Sequence, residues 1–437
     1  MGRRTAGEFS GSRRHRLMVF RRRFIAFGLG LVLLMGVVWG RQQQVQSVTI
    51  LMPAPYADAT AALVDRFNDD HLGRIHLNIS RGPLETESIS DLAISSLLLG
   101  SPPFDALLVD VTWLPKYVAA GWLEPLDPWF DQADEDDLVA GARLGNRVDG
   151  ALYRWPLGAD VGLLYWRTDL MPSPPTTPDQ LTAVVSKLTQ EGRASQGFVW
   201  QGRQYEGLSC DFVELLQAFG GSWISATTGE PKLDSPAAKQ TATWMNELIS
   251  NGFSPRAVTN YAESESLQAF KAGDAALMRN WPYAWSELQG NDSAVKGRVG
   301  VTTMVALPGE TPAATLGSWG LSMLRETHHP SATAEAIRYL TSQDAQRERF
   351  LNQGYTPTAQ ALFRDPELVQ RSPVLPQLEK ALGHAVPRPM SPLYAQMSDV
   401  LQRQLSGILT GDLDPGEGMA QAQASTITLF RSAGGKA

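Results

Sequence analysis

The sequence predicts an α/β protein of two lobes with a cleft between them. Three observations lead there. Near the start of the body a strand, a helix and a second strand follow one another within about 30 residues, the pattern of a parallel βαβ unit. A mostly helical block comes next and strand patterns return after it, as a chain that crosses several times between two lobes requires. The chain has 437 residues, 43% of them hydrophobic, enough for two or three domains at about 150 residues each.

The elements can be justified in order. Residues 48–52 (VTILM) form a short apolar run and read as a buried strand. Ala59, Leu63 and Phe67 recur every four residues, the face of a helix. Ile75, Leu77 and Ile79 alternate with His76 and Asn78, a second strand. Ile89, Ala93 and Leu97 mark another helix, and residues 106–109 another strand. Residues 162–166 (GLLYW) read as a strand, followed by a proline-rich turn. Thr177, Pro178 and Gln180 then open a helix as N-cap, first helical residue and third-position partner. Phe212, Leu215, Leu216 and Phe219 share one helix face that stops at Gly220-Gly221. Ser235-Pro236 opens a helix that Asn251-Gly252 ends, and Leu267 and Phe270 belong to one ended by Gly273. Short strands are expected at 275–278, 299–305 and 320–324. From Ser331 onward the chain is helical again.

The head follows other rules. Residues 1–41 hold nine arginines and one acid, Glu8, and carry +8; the whole chain is −7, which leaves −15 on residues 42–437. An acidic body argues against a nucleic-acid partner, which needs clustered cations. Six arginines between positions 13 and 23 precede the apolar run 24–40. Charge of this sign before an apolar run holds that end in the cytoplasm and sends the rest across. The run is 17 residues, short of the roughly 20 of a spanning helix. Residues 1–41 therefore read as a signal peptide or, uncleaved, as an N-terminal membrane anchor. Either way the body lies in the periplasm or on the outer face of the cytoplasmic membrane. Cys210 is the single cysteine, which excludes a disulfide scaffold and suits an oxidising compartment.

The motifs HExxH, GxSxG, GxxxxGK[ST] and a complete GxGxxG do not occur. His71 and His76 read as solvated surface histidines rather than a metal pair. The acidic run 134–137 lacks the ligand spacing of a calcium loop and reads as a solvated helix start. No metal, cofactor or catalytic residue is expected. Aromatic residues beside carboxylates and arginine are the positive signal. A sugar ring offers an apolar face that stacks on an aromatic plane, and a rim of hydroxyls that suits carboxylates and guanidinium groups. Asp110 with Trp113, Asp160 with Tyr165, Arg279-Asn280-Trp281, and Arg388 near Tyr394 supply that mixture.

Six segments carry a family resemblance: FDALLVDVTWLPKYVAAGWLEPLD (104–127), YRWPLGADVGLLYWRTDL (153–170), FVWQGRQYEGLSCDFVELLQAFGG (198–221), AFKAGDAALMRNWPYAW (269–285), LGSWGLSML (316–324) and RPMSPLYAQMSDVLQRQL (388–405). Together they resemble the extracellular solute-binding proteins (family 1) of bacterial ABC importers, in particular the trehalose/maltose-binding type, which includes binders of glucosides such as glucosylglycerol. The resemblance implies the two-lobe periplasmic-binding-protein fold, with a hinge and an interlobe cleft. It implies a monomer that binds a small sugar without reaction and presents it to the permease subunits of an ABC transporter. It also implies the lobes: 45–160 with 304–342, and 161–303 with 343–437.

Carried over by motif, Asp110 and Asp160 accept sugar hydroxyls, Trp281 is the stacking platform, Trp319 faces the ring from the other side, and Arg388 closes over the ligand with paired donors. Three positions depart from the family's pattern. Gly158 stands where an aromatic is common, Ser318 turns LGGW into LGSW, and Tyr56 stands where the first helix often offers a carboxylate. These changes bear on which disaccharide or glucoside fits: trehalose, maltose, sucrose or glucosylglycerol.

Overall fold

The computed structural model describes residues 1–2, 45–83, 86–100 and 102–434. The expected signal or anchor at 1–41, with its apolar run, lies outside the described residues except for Met1 and Gly2. Among the described residues no helix is long and apolar enough to cross a membrane.

Two sheets organise the chain. The first begins with β1 (Gln46–Pro53), β2 (Ile75–Gly82) and β3 (Ala106–Asp110). β1 runs parallel to both β2 and β3. It is buried on both faces, which is why its sequence is a continuous apolar run. Val48, Ile50 and Met52 join one core cluster, while Leu51 points to the other side against Ile89, Ala93 and Leu107. A small hairpin of β4 (Arg147–Val148) and β5 (Ala151–Leu152) follows. Then comes β6 (Trp155–Val161), the last strand of the first sheet before the chain leaves it.

The second sheet holds β7 (Leu163–Arg167), β8 (Gln196–Val199), β9 (Ala275–Asn280) and β10 (Val299–Thr302), in the order β10-β7-β9-β8. The chain then returns to the first sheet as β11 (Ala314–Met323) and ends its strands with β12 (Ala385–Val386). β11 pairs antiparallel with β3 on one side and β6 on the other. Only Gly162 separates β6 from β7, so a single residue carries the first crossing. A Cβ there would sit 1.9 Å from Glu214 Oε2 and 2.4 Å from Arg279 Nη2. The crossing needs glycine because a buried ion cluster presses against the backbone.

Several expectations shift. The helix after β1 starts at Ala54, directly at the strand's end, with a proline in its first turn. β10 stops at Thr302, short of Val305, and β11 begins at Ala314, well ahead of Gly320. The glycines of LGSWG hide the strand period there. Residues 343–386 were expected in the second lobe. Instead β12 pairs with β11, Ala359 bridges Leu138, and Arg66 on the first helix pairs with Glu348. This stretch packs on the first sheet, and the chain leaves it again only after Val386. His71 is not a solvated histidine. Its ring stacks on Phe67 at 3.9 Å, and its nitrogens meet the Phe67 carbonyl at 2.7 Å and Glu335 Oε1 at 3.0 Å. His76 is exposed, as expected. The acidic run lies in helix Gln132–Asp136, started by a capping box of Asp131 and Asp134.

Candidate functional site

A cleft of about 1110 Å³ lies between the two sheets. That is slightly above the usual span of small-molecule sites, roughly 300–1,000 Å³. Its first-lobe wall is built on the ends of β3 and β6 and the middle of β11. Its second-lobe wall is built on the end of β9 and the starts of helices Glu206–Ala218 and Glu263–Lys271. Strand ends converge there because both sheets aim one edge at the crossing.

Of the residues singled out in the sequence, Tyr56, Asp110, Asp160, Trp281, Trp319 and Arg388 line the cleft. Ser318 does not. Alternation along β11 puts Gly317 and Trp319 toward the cleft and turns Ser318 the other way. There the Ser318 hydroxyl is buried, accepts from Arg154 Nη2 at 2.6 Å and donates to the Gly158 carbonyl at 3.1 Å. Arg154 itself is fully buried, and burial pulls its guanidinium down to about 10.

Asp110 ends β3 and caps the turn Val111–Trp113. Its Oδ1 accepts from the Thr112 amide at 2.9 Å and the Thr112 hydroxyl at 2.6 Å. Arg388 Nη2 donates to both Asp110 oxygens at 3.1 Å. Its Nη1 donates to Glu206 Oε1 at 2.6 Å. Arg388 therefore differs from the expectation: its terminal nitrogens serve protein carboxylates, and its Nε is buried without a partner. Burial disfavours the charge, but attraction to Asp110 together with Glu206 and the neighbouring Cys210 and Tyr394 outweighs it and holds the guanidinium well above its ordinary value.

Asp160 sits on β6 opposite Gly317. Its Oδ1 accepts from the Thr356 hydroxyl at 2.6 Å, and among the described residues no cation pairs with it. Burial raises its carboxyl to about 6, with the Thr356 bond pulling the other way. Ionising Asp160 thus costs folding stability as pH rises from its unfolded value, about 3.9, through 6. For a ligand whose hydroxyls donate to the carboxylate the sign reverses, and affinity is lost as pH falls through 6. We expect binding about tenfold weaker at pH 5 than at pH 7.5, and a flat profile in Asp160→Asn. Titration calorimetry at both pH values checks this; an equal slope in the variant rejects Asp160 as the titrating acceptor.

Aromatic rings face the cleft from both sides. On the first lobe Trp113 meets Trp319 edge-on at 5.3 Å, Tyr56 lies 5.8 Å from Trp319, and Tyr355 lies 4.6 Å from Tyr56. A Cβ on Gly158 would sit at contact distance, 3.7 Å, from the Tyr56 hydroxyl, so a side chain larger than alanine's would press on Tyr56. On the second lobe Trp281 follows β9. The Arg279 guanidinium lies over its ring at 4.1 Å. The ring Nε1 donates to Glu263 Oε1 at 3.1 Å. Its edge comes so close to Gly317 that a Cβ there would be 2.8 Å from Cζ3.

Arg279, Asn280 and Tyr165 do not reach the cleft. Arg279 is fully buried against Glu214 and Asp211. Asn280 donates to the Glu263 carbonyl at 3.0 Å. Tyr165 donates to the Trp281 carbonyl at 2.7 Å. They hold the Trp281 wall from behind.

Many lining residues were not singled out, and four of them matter most here: Tyr205, Glu206, Glu263 and Tyr355. Tyr205 and Glu206 lie in the segment GRQYEGL, quoted only for its resemblance. Glu263 reads in sequence as an ordinary first-turn acid, and Tyr355 as one aromatic after a helix-ending glycine. The Tyr205 hydroxyl donates to Glu263 Oε2 at 2.8 Å. Burial and Glu263 together push that phenol far up. Among the described residues no group of three or more His, Cys, Asp or Glu is placed to hold a metal ion.

A family model for bacterial extracellular solute-binding proteins matches residues 53–347. A probable ABC transporter-binding protein of Deinococcus radiodurans is 33% identical over 344 residues, 76% of this chain and 81% of that protein. A maltotriose-binding protein of Pyrococcus abyssi is 25% identical over 301 residues, 68% of this chain and 64% of that protein. Among solved structures, maltose-bound MalE3 of T. maritima is similar with a TM-score of 0.80 and 32% identity, covering 88% of this chain and 99% of that one. These relatives are solute-binding proteins, not enzymes. Matched along the fold and along most of its length, the chain belongs to the bacterial extracellular solute-binding proteins.

Proposed function

We propose that this chain is the substrate-binding subunit of an ABC sugar importer, and that the cleft takes a disaccharide or related glucoside: trehalose, maltose, sucrose or glucosylglycerol. One observation carries the reading. The cleft sets Trp281 on one wall against Trp319, Trp113 and Tyr56 on the other, with Asp160, a carboxylate that has no cation partner among the described residues, between them. Stacking planes with acceptors at their rim suit a pyranose better than an ion or a peptide. Names of two similar proteins, a maltotriose binder and a maltose-bound structure, support the same class.

In this reading Trp281 and Trp319 hold the ring faces, and Asp160 and Oδ2 of Asp110, which among the described residues takes only the Arg388 bond, accept hydroxyls. Tyr56 replaces a carboxylate with a neutral partner. The lobes are 45–160 with 314–386, and 161–313 with 387–437, since Ala306 and Leu307 bond Thr176 and Ala218 rather than the first sheet, where residues 304–313 were expected. The protein acts as a monomer outside the cytoplasmic membrane, freed or tethered by residues 24–40. Ligand closes the lobes by binding the closed form better, and the closed form is what the permease reads.

The test is a thermal-shift screen of the purified protein against the four sugars. A ligand at 100 times its dissociation constant adds about 2.7 kcal/mol of stability. A shift with at least one sugar supports the reading. No shift with any of them at millimolar concentration overturns it.

A further inference from the structure

Arg388 occupies the stretch in which the chain crosses from β12 to helix Tyr394–Thr410. From there it touches both lobes. Nη2 holds both oxygens of Asp110 at the end of a first-lobe strand, each at 3.1 Å. Nη1 holds Glu206 Oε1 at 2.6 Å, at the start of a second-lobe helix. The side chain is 3% exposed.

Glu206 is fixed in turn from the far side of the crossing. The Tyr394 hydroxyl donates to its Oε1 and the Ser398 hydroxyl to its Oε2, the latter at 2.6 Å. Ser398 also meets the Ser209 hydroxyl at 2.8 Å, one turn along the Glu206 helix. Three chain segments distant in sequence thus meet in one charged network at the floor of the cleft. A flexible surface arginine that folds over a ligand has free donors. Here both terminal nitrogens are bound to protein carboxylates, and Nε is buried.

We propose that Arg388 and Glu206 are positioning residues: the bridge Asp110–Arg388–Glu206 ties the two lobes together across the hinge and sets their separation before any ligand arrives. Two carboxylates at the end of one strand and the start of one helix would otherwise repel. With the guanidinium between them they are held at one spacing, and the lobe that carries each is held with it. Opening the cleft at its floor would strip a buried cation of one partner, which is costly. The tie therefore confines the ligand-free hinge, and the fraction of molecules competent to bind depends on it.

The proposal does not depend on which solute the cleft takes, and the experiment separates the two. Spin labels go on exposed cysteines at Asp69→Cys in the first lobe and Lys187→Cys in the second. Cys210 is buried and its thiol is pushed up by that burial, so it stays unlabelled. Interlobe distances are measured by double electron–electron resonance in the full-length, ligand-free protein. Arg388→Met and Glu206→Ala should each broaden and shift the distance distribution, and Glu206→Gln should do so less. Arg388→Lys keeps a charge but loses the fork, and serves if the methionine variant does not fold.

Trehalose and maltose affinities are measured on the same proteins. Whichever sugars the native protein binds should weaken by a common factor of about tenfold, and the double variant should fall no further than the worse single one. An unchanged ligand-free distribution in Arg388→Met or Arg388→Lys overturns the proposal. If affinity falls under those conditions, Arg388 is a ligand donor instead. If neither sugar binds the native protein, the sugar reading fails, while the distance measurement still decides for or against the tie.

Discussion

Replacing Arg279 by alanine is expected to cost about 3–5 kcal/mol of folding stability, the scale of a broken buried ion pair. Arg279, Glu214 and Asp211 are all buried. Arg279 Nε and Nη2 fork onto Glu214 at 2.9 and 3.0 Å, and Asp211 Oδ1 lies 2.9 Å from Nε. Without the guanidinium two carboxylates share a dry site. Burial already lifts the Asp211 carboxyl far above its ordinary range, against the pull of Arg279. Removing that pull raises the Asp211 carboxyl further in the folded state.

The pH dependence follows from that direction. A folded state that holds protons more tightly than the unfolded one loses stability as pH rises. The penalty of Arg279→Ala should therefore be larger at pH 8 than at pH 5. Urea melts at the two pH values measure it. A loss below about 1 kcal/mol, or a penalty that shrinks as pH rises, would show that the cluster is solvated and unimportant. The same change should weaken sugar binding, since the guanidinium lies directly behind the Trp281 ring.

Trp281→Ala should have the largest effect on the ligand itself, weakening binding by roughly 2–4 kcal/mol, the scale of an interface hot spot. The ring is half-buried, backed by Arg279 at 4.1 Å and anchored by its Nε1 on Glu263 at 3.1 Å. Those contacts fix the orientation in which it meets the cleft, so little ordering remains to be done on binding. A fully buried Trp cut to Ala costs about 3–5 kcal/mol of stability. Here the exposed face contributes nothing to the free protein, and a loss of about 1–2 kcal/mol is expected. Calorimetry and a urea melt on the one variant separate the roles. Near-native sugar affinity with a large stability loss would leave Trp281 as packing only.

The sequence by itself determined the repeating elements and the surface chemistry of the cleft. Residues 48–52, the 59–63–67 helix face and the Ser235 cap are local patterns, and local hydrogen bonding and burial obey them. Asp110, Asp160 and Trp281 drew notice because each stands beside residues of matching chemistry in the sequence, whereas Trp319 and Tyr56 were reached through the family resemblance. The tertiary structure decided which of these side chains are free to act. Arg388 meets Asp110 across 278 positions and Glu206 across 182, and no period or motif encodes that pairing. It turns an expected ligand donor into a strut between lobes. Arg279 meets Glu214 across 65 positions and retreats behind the tryptophan it seemed to accompany. Ser318 faces away because it alternates with Gly317 and Trp319 along β11, a strand whose glycines hide that alternation in the sequence. Residues 343–386 return to the first sheet for a similar reason: their helices look alike in either lobe, and only the partner surface selects between them. Propensity and patterning act over a few residues, whereas a buried charge takes whichever partner the fold brings to it, at any separation along the chain.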